Sequence, residues 1–313
     1  MCLTFNMKKI KASPDTSINF AGIKCKNPVF VASGTFGYGY EAADLTDINS
    51  IGAIITKTIT LSPKAGNPPP RLAEVTSGIL NSIGLQNVGV AAFCRDKLPL
   101  LQKLKTPVIV SIAGETAADY AAVARALNGK NGIAAIELNL SCPNLKKQII
   151  CQNAQLVNQI ISRVKKACYY PVIAKLSPQV ADIGALGILA ESSGADALSV
   201  ANTFPGMAIN VNTFRPKIST VTGGMSGPAI KPLALRCVWE TARRVRIPVL
   251  GGGGIATGSD AIEFILAGAR AVSAGTANFI DPQAPATIAA EIAEYMKKKN
   301  ISSLSDITGK VMV

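Results

Sequence analysis

The stretch PVIVSIAG (residues 107–114), answered by AIELNLSC (135–142) and PVIAKLSP (171–178), decides the fold. Each is an apolar, β-branched run of strand length that ends abruptly in small or polar residues. Apart from Glu137 and Asn139 in the second, they read as apolar runs rather than alternating ones, as expected for strands covered on both faces in a parallel sheet. The same signature recurs in both directions. Upstream lie PVFVA (28–32) and AIITKTI (53–59); downstream lie ALSVAN (197–202), IPVL (247–250) and AVSA (271–274). Helical patterns separate most of these eight strand candidates. In 153–167, Leu156, Val157, Ile160, Ile161 and Val164 share one helical face behind Asn153, a natural N-cap. Ile288, Ile292, Tyr295 and Met296 repeat the stripe near the end. Eight βα units in one chain predict an α/β fold, a closed (β/α)8 TIM barrel rather than an open sheet. The expected organisation is one barrel domain over residues 1–313, with no linker or low-complexity tract.

Two connections are too long for turns: 61–84 after the second strand and 203–227 after the sixth. Both follow C-terminal strand ends, the active face of such barrels, where long loops usually carry function. Each is expected to contain a hairpin, 71–76 with 78–83 and 208–212 with 217–221.

Composition narrows the chemistry. The 313 residues are 48% hydrophobic and 16% charged, enough apolar material for a large core. The formal net charge of +13 suits either a soluble basic surface or an anionic partner. The basic residues are scattered, with no interleaved aromatics, so no nucleic-acid platform is expected. Seven cysteines at 2, 25, 94, 142, 151, 168 and 237 form no Cys-x-x-Cys pair, which argues against zinc, and against an iron–sulfur cluster held by this chain alone. Most are expected to be buried thiols in a reducing cytoplasm. The absence of histidine excludes a Ser–His–Asp triad, a histidine base and histidine metal ligands. No signal peptide or run of about 18 apolar residues is found, so no membrane span is expected.

The strand ends carry the polar residues. The second strand carries Lys57, the fourth Asn139 and then Cys142, the fifth Lys175 and the sixth Asn202, and all should converge on one cavity. A lysine within an apolar strand is costly unless something satisfies it. One lysine alone reads as a structural ion pair; two, with two asparagines, favour an anionic polar ligand. Gly251–Gly254 and Gly275–Thr276 match the phosphate-binding corner of these barrels, although tight βα turns would also use glycine. The run 251–258 lacks the G-x-G-x-x-G dinucleotide fingerprint. Cys142 sits where barrel enzymes keep catalytic groups. With no histidine, a thiol of ordinary pKa about 8.5, tuned by Lys57 or Lys175, can take a proton.

These residues carry a family resemblance. ELNLSCPN (137–144) resembles the catalytic segment of class 1 dihydroorotate dehydrogenases. ASGTFGYG (32–39), NSIGLQN (81–87), SGPAIKP (226–232), GGGGI (251–255) and AGT (274–276) resemble further segments in the same order, from about residue 18 to about residue 300. A cysteine rather than a serine points to class 1. ASGTFG, with Ile83 in NSIGL, resembles subclass 1B, whose members pass electrons to NAD through a second subunit carrying FAD and a 2Fe–2S cluster. The resemblance implies FMN as cofactor, with Cys142 as base at C5 of dihydroorotate while hydride leaves C6 for flavin N5. It implies substrate contacts from Lys57, Asn81, Ser82, Ile83, Gly84, Leu85, Asn139, Asn144, Asn202 and Thr203. It implies FMN contacts from Ser33, Lys57, Thr58, Ser111, Asn139, Lys175, Ala201, Gly227, Gly253, Gly254, Gly275 and Thr276, with Lys175 stabilising the reduced flavin. A homodimer within a larger complex is also implied. Two departures stand out. Ser111 replaces the usual asparagine, so one flavin contact reaches less far. The segment 145–153 lacks the family's glycine-rich run.

Three other functions share these features. A tRNA dihydrouridine synthase would use an FMN barrel and a cysteine, but normally adds an RNA-binding domain, and salt-sensitive tRNA retention would reveal it. A dihydropyrimidine dehydrogenase would normally carry extra redox domains. A barrel that only binds a phosphorylated ligand would tolerate loss of Cys142.

Overall fold

Eight short parallel strands close into a barrel in the computed structural model, which describes residues 14–141 and 150–312. They are β1 (Val29–Val31), β2 (Ala53–Ile55), β3 (Val108–Ile112), β4 (Ala135–Asn139), β5 (Val172–Lys175), β6 (Ala197–Val200), β7 (Val249–Gly252) and β8 (Ala271–Ala274). Neighbours in the barrel are neighbours in sequence, and β8 pairs with β1. Most strands are buried on both faces, as continuous apolar runs require.

Several strands are shorter than their apolar runs, and proline sets the start of four. Pro28, Pro107, Pro171 and Pro248 have no N–H to donate to a ladder. Their carbonyls still accept, from Val272, Ile54, Ile136 and Leu198 respectively. The seventh strand differs in position. It runs to Gly252, so Gly251 and Gly252 belong to the barrel wall rather than to a loop. A Cβ on Gly251 would meet Phe264 at 2.8 Å, and one on Gly252 would run into Ser273. Half of the glycine run therefore serves close packing.

Helices cover the barrel: α1 (Ala117–Leu127), α2 (Ala154–Ala167), α3 (Ile183–Ser192), α4 (Lys231–Ala242), α5 (Gly258–Leu266) and α6 (Ala284–Lys299). Asn153 caps α2, its side chain accepting from Leu156 N at 3.0 Å. Val157, Ile160, Ile161 and Val164 are buried as the 3.6-residue period demands, while Leu156 is half-buried at the stripe's edge. Ile288, Ile292 and Met296 do the same for α6, with Tyr295 half-buried. An N-terminal hairpin, Ile18–Phe20 with Ile23–Cys25, sets Phe20 edge-on against Phe30 of β1, ring centres 5.4 Å apart.

The two insertions meet. The first forms the expected hairpin, Leu72–Val75 with Gly78–Asn81. In the second, the expected 208–212 with 217–221 is corrected: Ile209–Asn210 pairs instead with Arg215–Pro216, and 217–221 forms no strand. The larger pairing there is Phe204–Met207 with Thr222–Ser226. Thr222–Ser226 also pairs with Gly78–Asn81, so one four-stranded antiparallel sheet joins both insertions. No helix among the described residues is long and apolar enough to cross a membrane. The five described cysteines are all free; Cys25, Cys151 and Cys168 are buried, Cys94 and Cys237 partly so.

Candidate active site

One hydrogen-bonded network runs across the strand ends. Ser33, just past β1, donates to Thr56 O at 2.8 Å and lies 3.2 Å from the Thr58 hydroxyl. Thr58 pairs with Ser111 of β3 at 2.9 Å, and Ser111 donates to Glu137 of β4 at 3.1 Å. Asn139 Nδ2 reaches Thr58 at 3.4 Å. Asn202, past β6, donates to Ser141 Oγ at 2.6 Å and to Asn139 Oδ1 at 3.4 Å. The parallel register explains the meeting: Ser111 is level with Glu137, and Asn139 with Lys175. Residues at paired positions point to the same face, and those two apart on one strand share it. The structure thus brings together Ser33, Thr58, Ser111, Asn139, Lys175 and Asn202.

The two lysines differ. Lys175 Nζ lies 4.0 Å from Glu137, so a buried carboxylate partly compensates it. Lys57 forms no ion pair among the described residues. Burial, and then the nearby Arg71 charge, push Lys57 below the ordinary lysine range, while Glu41 opposes them. An unpaired, half-desolvated ammonium is a site for an anion.

The inserted sheet and its flanks hold the other described residues expected to touch the substrate. Asn81 donates to Gly224 O at 3.1 Å, which anchors its side chain on the second insertion. The buried Ser82 hydroxyl has no partner among the described residues. Ile83 O accepts from Asn67 N, and Gly84 and Leu85 both have positive φ, 73° and 56°. A Cβ on Gly84 would lie 2.5 Å from Asn67 N, so the turn requires glycine. Thr203 packs directly on Gly224, and Thr203 N donates to Asn202 Oδ1 at 2.8 Å.

At the far side, Ala201 N donates to Gly252 O, which ties β6 to the glycine run. Gly253 and Gly254 turn with φ of 127° and 80°. A Cβ on Gly254 would stand 2.7 Å from Lys231 N at the head of α4. Gly227, φ 105°, ends the inserted sheet beside Gly78. Thr276 donates to Ser226 Oγ at 2.8 Å, which links this corner to the insertion. The N–H groups of Gly253, Gly254, Gly275 and Thr276 find no acceptor among the described residues.

Cys142 and Asn144 lie outside the described residues, as does most of the segment 145–153. Sequence reasoning did not single out Ser141, Ser226 or Arg71, nor Glu137 apart from its strand. Ser226 and Ser141 sat inside quoted motifs, but only the three-dimensional pairing reveals their partners. Glu137 carried a readable signal: a carboxylate in the middle of an otherwise apolar strand.

The model of the dihydroorotate dehydrogenase family matches residues 16–296. The chain is 53% identical over 298 residues to a protein of Endomicrobium trichonymphae, covering 95% of this chain and 97% of that one. It is 50% identical to one from Geobacter sp. (strain M21), covering 95% and 98%. It is 49% identical to one from Geobacter sulfurreducens, covering 96% and 99%. All three relatives are named dihydroorotate dehydrogenase B (NAD(+)), catalytic subunit.

Proposed function

The chain belongs to the dihydroorotate dehydrogenase family, and from that membership we propose that it oxidises dihydroorotate to orotate in pyrimidine biosynthesis, with FMN as cofactor and Cys142 as base. The observation that carries the proposal is the network from Ser33 through Thr58 and Ser111 to Asn139 and Asn202, flanked by Lys57 and Lys175. It offers amide and hydroxyl groups for a pyrimidine and a cation for its carboxylate.

The residues fit FMN. Four N–H groups without acceptors among the described residues, at Gly253, Gly254, Gly275 and Thr276, would serve as a phosphate-binding donor set. The nearest atom to a Cβ on Gly275 would be Ala32 Cβ at 3.6 Å, so backbone can approach a ligand there. Ser33, Thr58, Lys175, Ala201 and Gly227 complete the cradle. Ser111 is fully buried and bonded to Thr58 and Glu137, so it supports the site from below rather than reaching for the ring. FMN, when bound, supplies the acceptor for the hydride leaving C6.

The chain's own groups handle the proton and the substrate. Cys142 follows Asn139 by three residues and takes the C5 proton as thiolate; the C5–H electron pair becomes the new double bond as C6 loses hydride. Lys57 pairs with the carboxylate. Asn81, Asn139, Asn144 and Asn202, with Ser82 to Leu85 and Thr203, hold the ring. The unpartnered Ser82 hydroxyl and the fixed turn at Gly84 and Leu85 support that assignment.

NAD is the final acceptor through a partner subunit carrying FAD and a 2Fe–2S cluster, in line with the names of the relatives. A homodimer fits the exposed apolar Met207, Ile209, Val211 and Phe214 on the second insertion. A cytoplasmic location fits five free thiols. The test is anaerobic mixing of the purified yellow protein with dihydroorotate. Bleaching of the flavin is expected. A flavin that stays oxidised would sink the substrate assignment, and a chain that takes up no FMN would sink the cofactor.

A further inference from the structure

Glu137 is the only fully buried charged residue among those described, with no exposed surface. Its Oε1 accepts from Ser111 at 3.1 Å; its Oε2 has no partner among the described residues. An ionised carboxylate so desolvated is costly unless another charge offsets it. Among the described residues, the only cation in reach is Lys175 Nζ, at 4.0 Å, too long for a good hydrogen bond. The carboxylate and the ammonium thus interact through space, inside the barrel, one layer below the strand ends.

The carboxylate also fixes the direction of the network. Being an acceptor only, it requires Ser111 to donate. Ser111 must then accept from Thr58, and Thr58 from Asn139 Nδ2. That turns Asn139 Oδ1 towards the Asn202 amide. One buried charge therefore orients two hydroxyls and a carboxamide expected to touch the substrate.

We propose that Glu137 is a positioning residue: its buried charge holds Lys175 at the floor of the site and offsets part of the lysine's field on the flavin. This rests on the flavin reading above. A neutral carboxamide of the same shape keeps an oxygen for Ser111 but leaves Lys175 uncompensated. The reduced state of the flavin gains from the uncompensated positive charge.

The experiment uses the FMN-loaded full chain and two readouts, the flavin midpoint potential and the melting temperature. Glu137→Gln is expected to shift the potential to more positive values than wild type. Lys175→Met should shift it the other way and lower the melting temperature, because it strands a buried carboxylate. Adding Glu137→Gln to Lys175→Met should restore part of that loss. An unchanged potential in Glu137→Gln would make the pair purely structural and overturn the proposal. A shifted potential with strictly additive melting temperatures would mean that Glu137 does not act through Lys175, and overturns it equally. A wild-type chain that binds no FMN fails the flavin reading instead, and the melting temperatures then still decide the pairing.

Discussion

At the scale of single residues, the proposed reading separates a proton acceptor, Cys142, from a carboxylate binder, Lys57, and each role has its own signature. Cys142→Ala should retain FMN and lose turnover by about 100- to 10,000-fold, the usual range for a general base. Steady-state assay and flavin content measured on one preparation decide it; near-normal activity at neutral pH would remove the cysteine from its role. Cys142→Ser should regain rate as pH rises, because a weaker acid must be deprotonated first. Lys57 makes a prediction of opposite sign. Its folded-state pKa lies below the ordinary 10.5 because burial and Arg71 disfavour the charge. Dihydroorotate affinity should therefore begin to fall with rising pH before an ordinary lysine would titrate. KM measured against pH should rise in that alkaline window in wild type and stay flat in a weakly binding Lys57→Gln. Stability runs the other way. The unfolded lysine holds its proton to higher pH than the folded one, so this group's destabilising contribution is relieved as pH rises through the lowered pKa.

At the scale of elements, the glycine corner and the inserted sheet are what the strand pattern supports but does not specify. Gly254→Ala combines positive φ with a Cβ 2.7 Å from Lys231 N. It should cost about 1–3 kcal/mol of stability and weaken FMN retention, because the turn and the head of α4 cannot both keep their places. Chemical unfolding and fluorescence titration with FMN read the two effects separately; full stability with normal FMN binding would leave the corner without its proposed role. The barrel itself was legible, since buried parallel strands write continuous apolar runs such as PVIVSI and PVIAKL. The joined sheet was not. Phe204–Met207 reads FPGM and Thr222–Ser226 reads TGGMS, with proline and glycine where strand formers are expected. Their pairing also reaches Gly78–Asn81, far away in the chain, and local pattern cannot report such contacts. The same holds within the site. Lys57, Asn139, Lys175 and Asn202 were legible as polar residues at apolar strand ends. The Ser226–Thr276 contact and the burial of Glu137 under Ser111 depend on register between elements.

At the scale of the whole molecule, electrons that enter at the flavin must leave it, and the sequence carries no motif for a second redox group. Its cysteines lack the pair spacing of a cluster motif, and the three buried among the described residues are spread over different elements. Nor is there a dinucleotide fingerprint. Gly251 and Gly252 are barrel wall, and of that run only Gly253 and Gly254 turn, with positive φ, at the proposed phosphate corner. A single phosphate corner of this kind suits a mononucleotide rather than a dinucleotide pyrophosphate. The isolated, FMN-loaded chain should therefore oxidise dihydroorotate with a small artificial acceptor and fail to reduce NAD. Adding a partner subunit that carries FAD and a 2Fe–2S cluster should bring NAD reduction in, with the dihydroorotate half-reaction unchanged. NADH formation followed at 340 nm, beside dye reduction under the same conditions, separates the two. Rapid NADH formation by the chain alone would show that NAD reaches this flavin directly, and the partner would then not be needed for electron exit.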